Sequence, residues 1–286
     1  MKENPFRLYG IFGRPLGHTL SPAMHEAGFR ALNIKAFYLV LDTGAVEFKR
    51  LLRGRRQLLL DGFNVTVPYK EPALRGLDKI EPAAKAIGAV NTAFRRGKRW
   101  TGTNTDAFGF AESLKKDAHF SGRRKNVLVL GAGGSARAVV YALGKAGAAE
   151  IHIANRHPER AKKLARDLRK YFPRTRFETS DLGRAKMRAA MDAADLIVNT
   201  TSAGLKAGET PVPAVCFPRK RRKCFFDLIY RPAETRFLKE ARKRGHRTFN
   251  GLGMLLYQGA KSFECWTGRK APLREMRRAL REALNS

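Results

Sequence analysis

The sequence has 286 residues, of which 43% are hydrophobic and 29% are charged, so the chain can bury a sizeable core and is unlike a disordered protein. No apolar run approaches the roughly 18 residues of a membrane helix, and we expect neither a membrane span nor a membrane partner. Cys216, Cys224 and Cys265 show no metal-ligand or redox spacing. An odd number of cysteines without such spacing favours buried thiols in a reducing compartment. We therefore expect a cytoplasmic protein without a metal site.

The formal net charge of +32 would attract anionic ligands and, without sequence specificity, nucleic acid. The densest basic run, 219–223, follows Pro218 and precedes an apolar stretch, so we interpret it as a loop. It contains no aromatic residue on which a base could stack. Nucleic-acid binding is therefore the weaker hypothesis, and no specific nucleic-acid partner is expected.

Short apolar runs alternate with amphipathic stretches along the chain, which is typical of α/β proteins. Strands are predicted at residues 6–12, 36–41, 62–67, 89–94, 126–130, 150–154, 196–199 and 224–227. Helices are predicted at residues 22–32, 135–146, 158–171, 252–266 and 272–284. This order predicts parallel sheets covered by helices on both faces. The polar, basic segment 115–125 is the clearest boundary between an N-terminal α/β domain and a nucleotide-binding domain.

A glycine turn lies between a predicted strand and a predicted helix in the second half of the chain. It matches the pattern G-x-G-x-x-A and consists of Gly131, Ala132, Gly133, Gly134, Ser135 and Ala136. In such a motif the first glycine permits the tight turn, the second lets a pyrophosphate approach the backbone, and the small last residue lets the helix pack close to the strand. Because the N–H groups at a helix N-terminus bind phosphates, the motif predicts a dinucleotide site.

The end of the next strand indicates which dinucleotide binds. An NAD site usually has an acidic residue there that accepts a hydrogen bond from the ribose 2′-hydroxyl, whereas this chain continues with Asn155, Arg156 and His157. Guanidinium groups suit phosphate oxygens, so Arg156 and Arg160 are predicted to hold the 2′-phosphate of NADP. For Arg160 an ordinary surface position in the first helical turn is an equally good interpretation.

Two hydroxyl residues, Thr19 and Ser21, lie directly before the first predicted helix. Both could donate to a carboxylate, with support from the positive end of the helix dipole. An alternative is that Ser21 is simply an N-cap followed by Pro22 at the first helical position, which is a common arrangement.

Three further polar residues follow predicted strands in the first half of the chain. Lys70 follows the strand at 62–67, Asn91 ends the next one, and Asp106 closes a polar turn over 101–106. Open α/β sheets bind ligands at the carboxyl ends of their strands. A lone lysine or aspartate is more often a solvated charge, but several polar segments at strand ends favour a binding site.

Nine segments in the same order resemble the shikimate dehydrogenase family, and the resemblance covers essentially the whole chain. They are residues 13–22, 64–70, 88–92, 102–106, 131–136, 155–156, 199–204, 227–232 and 251–268. The sequences NVTVPYK at 64–70 and GLGMLLYQGAKSFECWTG at 251–268 are the most specific of these. The resemblance implies the reversible reduction of 3-dehydroshikimate to shikimate with NADPH, a step of aromatic amino-acid biosynthesis.

The resemblance also implies a two-domain α/β fold. Residues 1–106 would form the substrate-binding and catalytic domain, residues 107–250 a Rossmann-type NADP-binding domain, and residues 251–286 helices that return to pack on the first domain. The expected partner is the small-molecule substrate, shikimate or 3-dehydroshikimate, and the expected assembly is a monomer or a homodimer.

The resemblance assigns roles to individual residues. Thr19 and Ser21 would face the substrate carboxylate, and Lys70 would lie beside the carbonyl that is reduced. The ring hydroxyls would be bound by Thr66, Asn91, Asp106 and Gln258, with Tyr230 lining the substrate side. Besides the glycine turn and the strand-end residues, the cofactor would contact Thr200, Thr201, Ser202 and Met254.

The chemistry of such a reaction suits Lys70 and Asp106 as the catalytic pair. Hydride addition to a carbonyl leaves negative charge on its oxygen, and a nearby ammonium can stabilise that charge and supply a proton. A carboxylate can accept a hydroxyl hydrogen bond and hold the ammonium in place. Which of the two is the formal acid–base is not decided by the sequence, and Lys70 is favoured.

Two residues depart from the usual pattern of the family. Thr19 stands where the family usually has a serine, and its methyl group beside the carboxylate pocket could shift the preference between shikimate and quinate. His157 stands where threonine is common, next to the expected 2′-phosphate pocket. The alternative function is therefore a quinate/shikimate dehydrogenase with relaxed substrate or cofactor choice.

Overall fold

Two six-stranded sheets organise the chain, and each belongs to a separate unit. The structure is a computed structural model that describes residues 6–17, 19–219 and 221–285. One unit contains the chain up to Gly109 together with the residues from Leu255 onward, and the other runs from Phe110 to Met254. The polar segment 115–125, which the sequence favours as a boundary, therefore lies inside the second unit.

The first unit is built on a mixed sheet with the strand order β2-β1-β3-β5-β6-β4. Its strands are β1 (Arg7–Gly13), β2 (Ala36–Asp42), β3 (Gly62–Val65), β4 (Lys79–Ile80), β5 (Thr92–Arg96) and β6 (Arg99–Thr103). Its N-terminal helices are α1 (Ser21–Ala31), α2 (Ala45–Arg53) and α3 (Pro82–Ile87). Strands β1, β2 and β3 are parallel, whereas β5 is antiparallel to both β3 and β6.

The expectation of a wholly parallel sheet is therefore wrong for the first unit. The reason is a hairpin between β5 and β6, in which Arg96 pairs with Arg99 and only Gly97 and Lys98 lie between the strands. Gly97 has a φ of +61°, which a two-residue hairpin turn requires. So short a connection can join only antiparallel strands. For the same reason, part of the predicted polar turn over 101–106 lies in β6.

The second unit has a wholly parallel sheet with the strand order β12-β11-β10-β7-β8-β9, which confirms the predicted Rossmann-type architecture. Its strands are β7 (Asn126–Leu130), β8 (Glu150–Ala154), β9 (Arg176–Ser180), β10 (Leu196–Asn199), β11 (Cys224–Asp227) and β12 (Arg247–Phe249). Its helices are α4 (Asp106–Lys116), which begins in the first unit, α5 (Gly134–Lys145), α6 (Pro158–Arg169), α7 (Arg184–Ala193) and α8 (Arg236–Arg242). The strand order reverses between β10 and β7, the position at which such sheets bind ligands.

Apolar side chains from both the sheet and the helices form the core of the second unit. Leu128, Ile197 and Phe225 from the strands pack with Met187 from α7 and Phe237 from α8. Burying an apolar side chain of this size contributes roughly 1.5–3 kcal/mol, so these contacts hold the strands in register. The carboxyl ends of the strands are thereby kept at one edge of the sheet.

The two C-terminal helices, α9 (Leu252–Thr267) and α10 (Leu273–Asn285), pack on the first unit as predicted. The Trp266 ring of α9 lies so close to Gly62 that a Cβ there would be 2.3 Å from the indole. The indole N–H donates to the carbonyl of Ala93 at 3.0 Å. A small residue in β3 is therefore needed for α9 to reach the sheet. No helix in the described part of the chain is long and apolar enough to cross a membrane.

The described residues of the basic run at 219–223 lie in a loop before β11, as predicted, but these residues do not form a continuous charged surface. Arg219, Arg221 and Arg222 are exposed, and Lys220 lies outside the described residues. Lys223 is buried, and its ammonium donates to the carbonyls of Asp192 and Ala194 at the end of α7. This lysine satisfies carbonyl groups that a helix C-terminus leaves without a partner.

His25 is fully buried within the aromatic core of the first unit. Its ring stacks on Tyr38 with 4.6 Å between the centroids, and the centroid of the Trp266 ring lies 4.9 Å away. Burial lowers the pKa of His25 to about 3, and contact with the Asn64 amide only partly opposes this shift. The folded protein therefore holds a neutral imidazole over a pH range in which the unfolded chain is protonated.

We predict that His25 makes the protein less stable as the pH falls below 6.5. The folded pKa of about 3 lies below the ordinary value of 6.5, so the unfolded state binds the extra proton between these values. Linkage gives a loss of about 2 kcal/mol at pH 5 from this residue alone. In urea unfolding at pH 7.5 and pH 5, the loss of stability should be smaller in His25→Leu than in the wild type by this amount. The exposed His157→Gln is the control, and an unchanged loss in His25→Leu would refute the account.

Candidate functional site

A buried ion pair lies at the centre of a polar cluster in the first unit. The Lys70 ammonium lies 2.6 Å from a carboxylate oxygen of Asp106, and the two side chains are only 10% and 6% exposed. Lys70 follows a strand, as the sequence suggested, and lies five residues beyond the end of β3. Asp106 is the first residue of α4, where the helix dipole favours a negative charge.

Asn91 connects this pair to two other elements. Its amide nitrogen lies within hydrogen-bond distance of Asp106 Oδ1 (2.9 Å), Thr105 Oγ1 (2.8 Å) and Gln258 Oε1 (3.2 Å). Its carbonyl oxygen accepts from the backbone N–H of Thr105 at 2.7 Å. The backbone N–H of Val90 donates to the carbonyl of Lys70 at 2.8 Å. Lys70, Asn91, Asp106 and Gln258, all predicted site residues, are thus brought together.

Several members of this cluster were not predicted. The Asn64 amide nitrogen of β3 lies 3.1 Å from both Thr92 Oγ1 and Ser262 Oγ, and the Thr92 and Ser262 hydroxyls lie 2.8 Å apart. The Tyr38 hydroxyl donates to the carbonyl oxygen of Asn64 at 2.7 Å. The one signal in the sequence was Asn64 itself, a polar residue inside an apolar strand. These contacts connect β3, β5 and α9 within the polar cluster that contains the ion pair.

The two hydroxyl residues before α1 are also close together. The backbone N–H of Ser21 donates to Thr19 Oγ1 at 3.3 Å, and Ser21 is buried while Thr19 is half-buried. Ser21 is the first residue of the helix, and the preceding residue, Leu20, occupies the cap position. The alternative in which Ser21 is an ordinary N-cap therefore does not hold.

The remaining predicted substrate residues are distributed over both units. Thr66 is half-buried, and its methyl carbon lies 2.3 Å from where a Cβ on Gly13 would be. The backbone at Gly13 therefore passes close to Thr66, and only a glycine leaves room for this contact. Gln258 is buried, and its amide nitrogen donates to the carbonyl of Leu255 at 3.0 Å. Tyr230 is half-buried and Met254 is buried, both in the second unit.

The glycine turn of the second unit has the geometry that a bound dinucleotide needs. Gly131 has a φ of +114°, and a Cβ there would lie 2.4 Å from Thr200 Oγ1. Gly133 precedes α5 in an extended conformation and supplies no side chain to cap its first N–H groups. A Cβ on Gly133 would meet no atom within 4 Å, so the turn leaves open space before the helix N-terminus. These features fit a pyrophosphate bound at that terminus.

The predicted 2′-phosphate residues follow the end of β8. Arg156 and Arg160 are both exposed, the second in the first turn of α6. The Asn155 side chain donates to the carbonyl of His157 at 2.9 Å, which fixes the turn that presents Arg156. No acidic residue stands at this strand end, so the residues present fit NADP better than NAD.

The predicted cofactor residues at 200–202 are positioned by a buried network that was not predicted. Asn199 at the end of β10 accepts hydrogen bonds from the backbone N–H and the hydroxyl of Thr201, at 3.0 and 2.7 Å. The Asn199 amide donates to Asp227 Oδ1 at 3.0 Å, and the Thr235 hydroxyl donates to Asp227 Oδ2 at 2.6 Å. Burial raises the pKa of Asp227 to about 6, while hydrogen bonds from Thr235, Ile229 and Asn199 oppose the rise.

The loop that follows is held against the glycine turn. The Thr200 hydroxyl donates to the carbonyl of Leu130 at 2.7 Å, and the Thr201 hydroxyl accepts from the N–H of Ala203 at 3.2 Å. The carbonyl of Ala203 also accepts from the Asn199 side chain at 3.1 Å. Loop and turn therefore form one preorganised edge at the carboxyl ends of β7 and β10.

Three family models match the chain in succession. Residues 11–93 match the shikimate dehydrogenase substrate binding domain, and residues 113–232 match shikimate / quinate 5-dehydrogenase. Residues 251–281 match the shikimate 5'-dehydrogenase C-terminal domain. The matched segments contain most of the residues described above.

Full-length relatives extend this similarity over nearly the whole chain. The chain is 43% identical to the shikimate dehydrogenase (NADP(+)) of Symbiobacterium thermophilum, covering 99% of this chain and 96% of the relative. It is 38% identical to shikimate 5-dehydrogenase from Thermus thermophilus, solved in complex with NADP(H) and shikimate, with a TM-score of 0.85 and coverage of 97% and 100%. It is 30% identical to quinate dehydrogenase from Corynebacterium glutamicum, solved in complex with NAD, with a TM-score of 0.86 and coverage of 98% and 100%.

Proposed function

Because the chain belongs to the shikimate dehydrogenase family, we propose that it catalyses the reversible, NADP-dependent reduction of 3-dehydroshikimate to shikimate. The enzyme is an oxidoreductase, and its place is in aromatic amino-acid biosynthesis. The observation that carries the proposal is the buried Lys70–Asp106 pair, surrounded by hydrogen-bonding side chains that an apolar core would not need.

Lys70 is the residue that acts on the reacting oxygen. Negative charge develops on the substrate oxygen as the carbonyl is reduced, and an ammonium in a site of low dielectric stabilises that charge strongly. Lys70 then supplies the proton that converts the oxygen to a hydroxyl. In the oxidative direction its neutral amine would take that proton back.

Asp106 and Asn91 position the ammonium and bind the substrate. One Asp106 oxygen accepts from Lys70, and the other accepts from the Asn91 amide at 2.9 Å. A carboxylate held on both sides offers its remaining lone pairs to a ring hydroxyl, and Gln258 and Thr66 supply further polar groups. Thr19 and Ser21 bind the substrate carboxylate through their hydroxyl groups and the N-terminus of α1.

NADPH supplies the hydride when it is bound. In this chain its pyrophosphate would be held by the glycine turn from Gly131 to Ala136 and its 2′-phosphate by Arg156, with Arg160 and Asn155 beside it. Thr200, Thr201 and Ser202 would contact the cofactor next to the glycine turn, because the Asn199–Asp227 network fixes their loop. Met254 would complete the contacts to the cofactor. Tyr230 would complete the contacts to the substrate.

The proposed domain limits are residues 1–106 for substrate binding, 107–250 for NADP and 251–286 for the returning helices. We place the enzyme in the cytoplasm, because Cys216, Cys224 and Cys265 are all free. The second candidate is a quinate/shikimate dehydrogenase, which Thr19 favours because its methyl group adjoins the proposed carboxylate site.

Lys70→Ala should lower kcat about 10²- to 10⁴-fold, the usual contribution of a positioned acid–base, while the protein stays folded. Shikimate oxidation with NADP measures kcat, and thermal unfolding reports the fold. Lys79→Ala, which removes an exposed lysine from the same unit, should retain wild-type activity. A folded Lys70→Ala protein with kcat within tenfold of the wild type would rule out the proposed role.

Arg156→Gln should raise the KM for NADP about 10- to 100-fold, because charge-assisted hydrogen bonds to a phosphate are worth roughly 1.5–3 kcal/mol. The KM for NAD, which lacks that phosphate, should not rise. Arg166→Gln removes another exposed arginine of the same unit and controls for the general loss of positive charge. Equal changes in the two KM values would show that Arg156 does not contact the 2′-phosphate.

A further inference from the structure

Asp227 is the last residue of β11 and a fully buried carboxylate in the second unit. Three donors reach it, and all of them are neutral: the Asn199 side chain at 3.0 Å, the backbone N–H of Ile229 at 3.1 Å and the Thr235 hydroxyl at 2.6 Å. Buried charges are usually paired with an opposite charge, because burying them alone costs free energy. Stability alone therefore does not explain a carboxylate at this position.

The donors to this carboxylate come from two loops that carry proposed ligand contacts. The cofactor loop, residues 200–204, follows β10, and the Tyr230 loop, residues 228–235, runs from β11 to α8. Asp227 Oδ1 accepts from Asn199, at the base of the cofactor loop, and from Ile229 in the Tyr230 loop. A single oxygen atom therefore joins the two loops. The second carboxylate oxygen holds the far end of the Tyr230 loop, next to α8.

Close packing and a backbone hydrogen bond also hold the two loops together. Gly204 has a φ of +124°, and a Cβ there would lie 3.2 Å from side-chain carbon atoms of both Ile229 and Thr235. The backbone N–H of Leu228 donates to the carbonyl of Asn199 at 2.9 Å. Because the loops touch and share the same buried acceptor, a displacement of either loop reaches the other.

We propose that Asp227 is a positioning residue that couples the cofactor loop to the Tyr230 loop, so that one carboxylate sets the affinity for both ligands. In the proposed function, on which this inference rests, Thr200, Thr201 and Ser202 contact NADP, and Tyr230 contacts the substrate. Asp227 itself touches neither ligand, because it is completely buried. An ionised carboxylate only accepts hydrogen bonds, so it can receive all three donors at once. The two loops therefore adopt their ligand-binding positions together.

Two substitutions of similar volume test this role. Asp227→Leu removes both acceptors, so the Kd for NADPH, measured by its fluorescence, and the KM for shikimate should each rise about tenfold, with a smaller fall in kcat. Asp227→Asn keeps one acceptor oxygen and should recover most of this loss. Asp195→Leu is the control, since Asp195 also accepts from a backbone N–H but lies before β10, and it should change neither constant. A folded Asp227→Leu protein in which only one constant rises, or neither, would overturn the inference.

Hydrogen exchange of the ligand-free protein tests the coupling without turnover. Thr235→Val lies in the Tyr230 loop and removes the hydroxyl that donates to Asp227. Amides at 200–204 should nevertheless exchange faster, together with those at 228–235, whereas Thr235→Ser keeps the hydroxyl and should exchange like the wild type. Faster exchange confined to 228–235 would contradict the coupling. Faster exchange in both loops of a protein that does not turn over shikimate would support the coupling and reject the proposed function instead.

Discussion

The buried contact between Lys70 and Asp106 is the constraint on which the first unit depends. Taking both charges out of water costs several kcal/mol per ion, and the attraction between them offsets this only when the remaining hydrogen-bonding capacity is also satisfied. Here Asn91 satisfies the second carboxylate oxygen and is itself held by the Thr105 backbone. An ion pair so costly to bury is weak evidence for stability alone. The proposed chemistry at the ammonium accounts for its place in this buried, hydrogen-bonded cluster.

In the second unit, hydrogen bonds hold a loop and a glycine turn in place, and the space in front of the turn stays open. Gly131 permits close contact with Thr200, and Gly133 leaves open the N-terminus of α5. The Asn199–Asp227 hydrogen bond fixes the loop from below, at the ends of two neighbouring strands. Preorganisation of this kind lowers the entropy that a ligand must lose on binding. The excess of basic residues adds attraction for an anionic dinucleotide and an anionic substrate.

The sequence predicted well those features that arise within one local segment. The glycine turn is such a feature, because strand, turn and helix are contiguous, and so is the absence of an acid after β8. The polar cluster was predicted only in part, since Asn64, Thr92 and Ser262 meet across a distance of up to 198 residues in sequence. Lys223 was misjudged as part of a charged loop, because nothing in a run of basic residues indicates which one turns inward to carbonyl groups. The antiparallel hairpin of the first sheet was missed because strands and helices were expected to alternate along the whole chain. A two-residue turn instead joins β5 directly to β6.

The most direct test of the central claim is a steady-state comparison of shikimate and quinate oxidation, each with NADP and with NAD. The cluster of Lys70, Asp106 and Asn91, together with Thr19 and Ser21 before α1 and Arg156 after β8, predicts a strong preference for shikimate together with NADP. Comparable rates with quinate would make Thr19 the residue that sets substrate choice and would support the second candidate function. Turnover of neither substrate with either cofactor would contradict the account.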